Sequence, residues 1–405
     1  MQCRHCSENL LDTFVDLGLA PPSNNYLEKN DLNKEELKFP LQLYVCRKCW
    51  LVQTIDYEDA DQLFKSNYAY FSSTSKSFLK HAADYVEEVV ERFNLNEDSS
   101  VVEIASNDGY LLRNFLERGI PCLGIEPTES TAKFAENLGI EVMQEFFSSE
   151  LAAKIDLKAD LIIGNNVFAH VPDINDFSTG MKEILKDDGI ITLEFPHLLE
   201  LVKNNQFDTI YHEHFSYLSL LSVQKILKKA KLKVFDVRKL KTHGGSLRVF
   251  ACHEADNRSI LESVSEILNE EKDMKMQSLD FYSDFQDKAN KIKSDFRDFL
   301  VKAKEENKRV AAYGAAAKGN TLLNFSEIQN DMIEFVCDAA KSKQGMYLPG
   351  SHIPIVSPEI LEEIDYLDYL IIFPWNIAEE IIEQTESIRK LRTKYIVFIP
   401  SLKIF

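Results

Sequence analysis

Apolar positions along this chain follow two rhythms in turn, and their succession predicts repeated strand, turn and helix units. Phe78, Leu79, Ala82, Val86, Val89 and Val90 fall at helical spacing, which predicts a core-facing helix between about residues 75 and 95. Ser100 to Ala105 is a compact apolar run and reads as a buried strand; the polar turn Ser106-Asn107-Asp108-Gly109 follows and opens a helix. A second short strand begins at Cys122 and ends in Glu126 and Pro127. A third, from Asp160, ends in Gly164-Asn165-Asn166, and after the stretch Val167 to Asp173 comes another helix. The run Gly189 to His197 is a fourth strand. Thr242 to Phe250 reads as a Gly-Gly turn feeding a strand.

From about Asp256 to Lys308 the pattern turns charged and helical. Phe281, Phe285, Ala289, Ile292, Phe296, Phe299 and Leu300 share one stripe, as expected of a core-facing helix linking two domains. The strand pattern then restarts at Arg309 to Tyr313, followed by the turn Gly314 to Asn320 and a helix. Glu334 to Asp338, Tyr369 to Phe373 and Tyr395 to Ile399 are further strands.

A chain of 405 residues exceeds one compact core and predicts two or three domains. Its hydrophobic content of 45% and charged content of 27% are globular values. The net charge of −19, from 46 basic and 65 acidic residues, opposes a nucleic-acid or anionic-membrane surface, because the long-range field repels polyanions. No run reaches the about 18 to 20 apolar residues of a membrane span, and Met1 to Cys6 lacks a signal-peptide stretch. A cytosolic protein is expected, in which cysteines serve as metal ligands or core residues before disulfides.

Cys3-x-x-Cys6 and Cys46-x-x-Cys49 are two thiolate pairs at ligand spacing. They predict a structural Zn²⁺ held by four thiolates and therefore closed to substrate. The long gap between them, with Pro21-Pro22-Ser23-Asn24-Asn25, fits a ribbon-like module with an inserted loop.

Strand, polar turn, helix and a second strand ending in an acid form a nucleoside-binding arrangement, with Glu126 placed to hydrogen-bond ribose hydroxyls. The glycine fingerprint for a pyrophosphate is absent, which disfavours an NAD-type cofactor. Glu103-x-Ala105-x-Asn107-x-Gly109 instead resembles the acidic, glycine-rich loop of S-adenosylmethionine (SAM) methyltransferases, with two glycines replaced and Gly109 kept for close backbone approach. Glu103, Ser106, Asn107, Asp108, Gly109, Glu126, Pro127, Asn165 and Asn166 are the candidate cofactor residues, since the carboxyl ends of parallel strands line the ligand crevice. His170 stands beside them as a candidate substrate contact. His243 and Arg248 flank the paired glycines; the segment is a plain hairpin or a set of contacts to substrate oxygens, and both readings stay open. Lys318 and the turn N–H groups form an anion seat or a structural turn, and the turn is not a Walker loop.

Tyr211-His212-Glu213-His214 puts acid/base groups on consecutive residues. Together with the cysteine pairs, Tyr68 to Ser73, Glu103 to Gly109, Gly164 to Asn166, His243 to Arg248 and Tyr313 to Gly319, in this order, the tetrad resembles the SAM-dependent sugar C-methyltransferases. The resemblance spans essentially the whole chain. It implies an α/β protein of three parts: a zinc module over residues 1–65, a Rossmann-like SAM methyltransferase domain over 66–250 and a Rossmann-like α/β domain over 251–405. The last would help hold a nucleotide-linked keto-deoxysugar.

Carbon methylation beside a ketone requires a base and a donor to the enolate oxygen. The expected base is His214, with Glu213 orienting it, Tyr211 and Tyr70 as donors, and His212 able to share the role. A sugar O-methyltransferase and a non-catalytic nucleotide-binding scaffold are the alternatives.

Overall fold

The computed structural model describes residues 1–55, 73, 75–389 and 392–405. Its chain divides into two compact units: Met1–Leu11 with Val45–Leu198 and Phe215–Gln277, and Asp12–Tyr44 with Leu199–His214 and Ser278–Phe405. These differ from the three expected parts. Position 250 lies inside the strand Ser246–His253, which is paired along both edges, so no boundary can fall there without breaking a sheet.

The first unit is built on a seven-stranded sheet in the order Leu232–Leu240, Ser246–His253, Leu185–Pro196, Ala159–Asn165, Val101–Ile104, Cys122–Ile125 and Glu141–Met143. The last five run parallel, and the first two add an antiparallel edge. Their carboxyl ends carry Glu194, Asn165, Glu103 and Glu126 to one side of the sheet. That is where such sheets bind ligands.

The predicted helix forms as Lys76–Phe93, because Ser75 accepts the Phe78 amide at its start and Asn94 takes a left-handed φ of 52° at its end. Ala82, Val86 and Val89 are fully buried beneath it, with Phe78, Leu79 and Val90 packed alongside. A second helix, Ile174–Ile184, starts at the cap Asp173, whose side chain accepts the amides of Asn175 and Asp176.

In the second unit the sheet runs Ile355–Val356, Val336–Cys337, Val310–Tyr313, Tyr369–Ile372, Lys394–Val397 and Lys403–Ile404, parallel except for the last. The charged run expected from Asp256 onward is two helices, Glu262–Asp273 in the first unit and Phe285–Glu305 in the second. Phe285, Ala289, Ile292, Phe296 and Leu300 are buried, and Phe299 packs edge-on against Tyr369 and Phe398. Among the described residues no helix is long and apolar enough to cross a membrane.

Candidate active-site elements

Cys3, Cys6, Cys46 and Cys49 converge in the first unit, with all four sulfurs within 4.8 Å of one another. Three of them are buried, and Cys6 is half-buried. Gln53 Nε2 donates to Cys3 Sγ at 3.1 Å. The hydrogen bond from Cys49 is the main cause that lowers the Cys3 thiol to about 4, with help from Gln53. Four soft thiolate donors with a bonded outer partner suit Zn²⁺, and four-coordination by thiolates would leave no open position for chemistry.

At the carboxyl ends of the neighbouring strands the turn after Val101–Ile104 takes left-handed backbone at Ala105 (φ 59°), Asn107 (φ 51°) and Gly109 (φ 76°). Gly109 is required by packing. A Cβ there would lie 2.5 Å from Ile140 Cδ1, so the glycine seats the turn against the helix Glu129–Asn137 and the segment that follows it. Glu126 Oε2 accepts the Asn107 amide at 3.0 Å and Oε1 accepts the Thr128 amide at 2.9 Å, so this carboxylate latches the turn before any ribose arrives.

Glu103, Asp108 and Glu126 are buried together, and among the described residues none has a Lys or Arg partner. Burial first, then the charges of Asp108 and Glu126, raises Glu103 well above the usual carboxylate range. Glu103 Oε2, Ser106 Oγ, Asp108 Oδ1, Asn165 Oδ1 and Asn166 Oδ1 are buried with no hydrogen-bond partner among the described residues. Buried polar atoms of this kind require a partner. An acid-lined crevice with spare acceptors fits a cationic nucleoside bearing hydroxyls and an ammonium group; it repels a pyrophosphate.

His170, at the end of the short helix Phe168–His170, is half-buried on the same loop as Asn166. His243 also takes left-handed backbone, at φ 52°, and packs edge-on to Phe78 at 5.9 Å. Arg248 departs from expectation. It is 3% exposed, donates to Glu194 Oε2 at 2.7 Å, lies 3.0 Å from His81 Nε2 and sits 4.3 Å over the Tyr85 ring, so its guanidinium is committed inside the protein. Burial opposes the Glu194 charge, but His81 and Arg248 outweigh it and lower the carboxyl to about 2. Neither Glu194 nor His81 was singled out in the sequence, although an acid at the carboxyl end of an apolar strand was a visible signal.

In the second unit the tetrad follows the short helix Phe207–Thr209. His214 is buried, and its Nδ1 lies 2.9 Å from the Thr209 carbonyl. A carbonyl only accepts, so Nδ1 carries a proton. Thr209 is itself held by its hydroxyl on the Gln206 carbonyl, and Thr321 Oγ1 donates to the Ile210 carbonyl. The Tyr211 ring lies against the imidazole, tilted by 33°, with ring centres 3.9 Å apart.

Glu213 does not orient His214. Its Oε1 accepts from Asn24 Nδ2 at 3.1 Å, and burial raises its carboxyl, so backbone and not carboxylate sets the histidine tautomer. His212 Nε2 lies 3.3 Å from the Phe39 carbonyl, and burial lowers its basicity. Tyr70 lies outside the described residues.

Lys318 is in the first turn of the helix Ala317–Phe325, donates to Asn376 Oδ1 at 2.8 Å and lies 4.6 Å from the Trp375 ring centre. Trp375 Nε1 donates to Asp208 at 2.7 Å; burial, offset in part by Lys318, pushes that carboxyl up to about 6. Gly314 and Gly319 are both demanded by packing, since a Cβ would meet Pro374 at 2.4 Å and Phe373 at 2.7 Å. Lys343 reaches the same turn through the Ala315 carbonyl at 2.8 Å.

Three family models and a curated relative match this chain. Residues 3–64 match a zinc binding domain family, residues 78–237 a methyltransferase domain family and residues 241–400 the C-methyltransferase C-terminal domain family. A C-methyltransferase of Streptomyces niveus, NovU, is 35% identical over 407 aligned residues, which cover 100% of this chain and 96% of that protein. Among solved structures, a SAM-dependent methyltransferase from Clostridium acetobutylicum is 15% identical, with a TM-score of 0.36 over 43% of this chain and 92% of its own. Magnesium protoporphyrin IX methyltransferase from Synechocystis, with bound S-adenosylhomocysteine (SAH), is 15% identical, with a TM-score of 0.35 over 43% of this chain and 82% of its own.

Proposed function

The chain belongs to the SAM-dependent C-methyltransferases, and on that premise we propose that it methylates a carbon beside the ketone of a nucleotide-linked keto-deoxysugar. The observation that carries the base assignment is the Nδ1–H donated to the Thr209 carbonyl, which in the neutral ring puts the lone pair on Nε2. Nε2 takes the α-proton, and the C–H electron pair moves into the carbonyl as an enolate. The Tyr211 hydroxyl, with Tyr70, donates to the enolate oxygen. His212, turned to Phe39, has a supporting role.

Glu103, Ser106, Asn107, Asp108, Glu126, Asn165 and Asn166 would hold SAM, which supplies an electrophilic methyl group on a positively charged sulfur. Gly109 and Pro127 shape the two turns. His170 and His243 are proposed as sugar contacts, Arg248 as the group that fixes Glu194, and Lys318 with the turn N–H groups as the seat of the substrate phosphates. Zinc is structural. Reduced cysteines as metal ligands fit the cytoplasm.

The test is a SAM-consumption screen over keto-deoxysugar nucleotides, with the methylated position read by NMR. Exchange of the α-proton with D₂O in the absence of turnover is the expected partial reaction. Methyl transfer to a hydroxyl, with no α-exchange, would replace carbon chemistry by O-methylation.

A further inference from the structure

Between the zinc ligands Cys3 and Cys6 lie Arg4 and His5; Arg4 reaches the loop that follows Asn166, and His5 reaches the first turn of the helix Ile174–Ile184 that the loop leads into. Arg4 Nη1 donates to the Pro172 carbonyl at 2.6 Å, and its Nη2 donates to the Thr54 carbonyl at 3.0 Å. His5 Nδ1 lies 2.8 Å from Asn175 Oδ1, while Asn175 Nδ2 donates back to the carbonyls of Arg4 at 2.9 Å and His5 at 3.1 Å. Gln53, on the strand Val52–Thr54 that follows the second cysteine pair, holds the first, accepting the Arg4 amide at 2.9 Å and donating to Cys3. Lys229 adds a bond to the His5 carbonyl at 3.1 Å.

The loop so gripped begins at Asn165 and Asn166, where the Asn166 amide is held on the Glu194 carbonyl at 2.7 Å, and ends at Pro172 and the helix cap Asp173. One end is fixed by the sheet, the other by the cysteine knuckle. We propose that Arg4, His5 and Asn175 form a clamp through which the zinc centre positions the cofactor-binding loop, so that metal and SAM binding are coupled. This rests on the assignment of Asn165 and Asn166 to the cofactor.

The physical link is direct. A four-thiolate knuckle without its ion loses the geometry that the metal imposes, and Arg4 and His5 lose the fixed backbone from which they reach the loop and the helix it leads into. Such couplings between sites are typically about 5- to 150-fold and are reciprocal. The zinc-stripped protein is therefore expected to bind SAH about tenfold more weakly, and saturating SAH should protect zinc from a chelator by the same factor.

The experiment uses the full-length, zinc-replete protein and compares Arg4→Ala, Arg4→Lys, Asn175→Ala and Asn165→Ala. Zinc content, thermal unfolding, SAH affinity by calorimetry and hydrogen exchange over residues 165–175 are measured for each. Arg4→Ala and Asn175→Ala should each keep one zinc per chain, weaken SAH and speed exchange in that segment. Arg4→Lys, which keeps one donor, should recover part of the affinity. Unchanged SAH affinity and exchange in Asn175→Ala at full zinc occupancy would overturn the clamp, even if Arg4→Ala fails to fold. If Asn165→Ala also leaves SAH binding unchanged, the cofactor assignment of the loop fails instead.

Discussion

Two strand–turn–helix turns, one in each unit, share a backbone plan and differ in the charges that line them. The turn after Val101–Ile104 is bordered by Glu103, Asp108 and Glu126, with no basic partner among the described residues. The turn after Val310–Tyr313 has Lys318 at its helix start and Lys343 on the Ala315 carbonyl, so that its neighbouring acids, Asp208 and Asp338, face lysines. The first therefore suits a cationic nucleoside and the second an anionic group. Fold alone would have assigned both turns the same ligand.

The largest expected effect belongs to the second unit. His214→Gln should lower turnover by about 10²- to 10⁴-fold, the scale for losing a positioned base, with α-proton exchange falling in parallel and SAH affinity unchanged. His212→Gln should cost much less. Exchange that survives at the wild-type rate in His214→Gln would pass the base role to another group. A fall in SAH affinity would show that the two units do not divide the work as their charges indicate.

A cross between the two turns sharpens the contrast. Glu126→Ala should weaken SAH by about 1–3 kcal/mol, because two latched amides lose a charged acceptor, and should leave binding of the sugar nucleotide alone. Lys318→Ala should raise KM for the sugar nucleotide by a similar energy and leave SAH unaffected. Calorimetry with each ligand reads both directions. If either variant moves both ligands equally, charge lining is not what separates the turns.

The elements legible in the sequence were those whose signal is local. Cysteine pairs at ligand spacing, apolar runs ending in acids or amides, and the stripe from Phe78 to Val90 each declare themselves within a few residues, and all appear in the structure. What escaped depends on distant partners. Arg248 looks like a substrate contact until Glu194 and His81 are beside it. Glu213 is the natural orienter of His214 on the page, yet the Thr209 carbonyl does that work, since backbone direction is invisible to composition. Gly109 signals close approach, and one neighbour that demands it is Ile140, a contact that no local pattern announces. The grouping of Asp12–Tyr44 and Leu199–His214 with the carboxyl-terminal strands has no local mark at all.

The smallest effect, and the most direct probe of the acidic turn, is the pH dependence of cofactor binding. Burial, followed by Asp108 and Glu126, raises the Glu103 carboxyl above its ordinary value. An acid raised in this way favours the folded protein when protonated, a contribution present at low pH and lost as pH rises through the raised value. A bound sulfonium reverses the preference, because it stabilises the carboxylate, so SAM binding should release a proton below that value. SAM affinity is then expected to rise with pH, by at most about tenfold per unit for one proton, and to level off once Glu103 is ionised. SAH has no sulfonium charge and should show a shallower slope. Calorimetry in buffers of different ionisation enthalpy measures the released proton directly. Equal slopes for SAM and SAH would mean that the acids already have a cationic partner, and the contrast between the two turns would then no longer rest on charge.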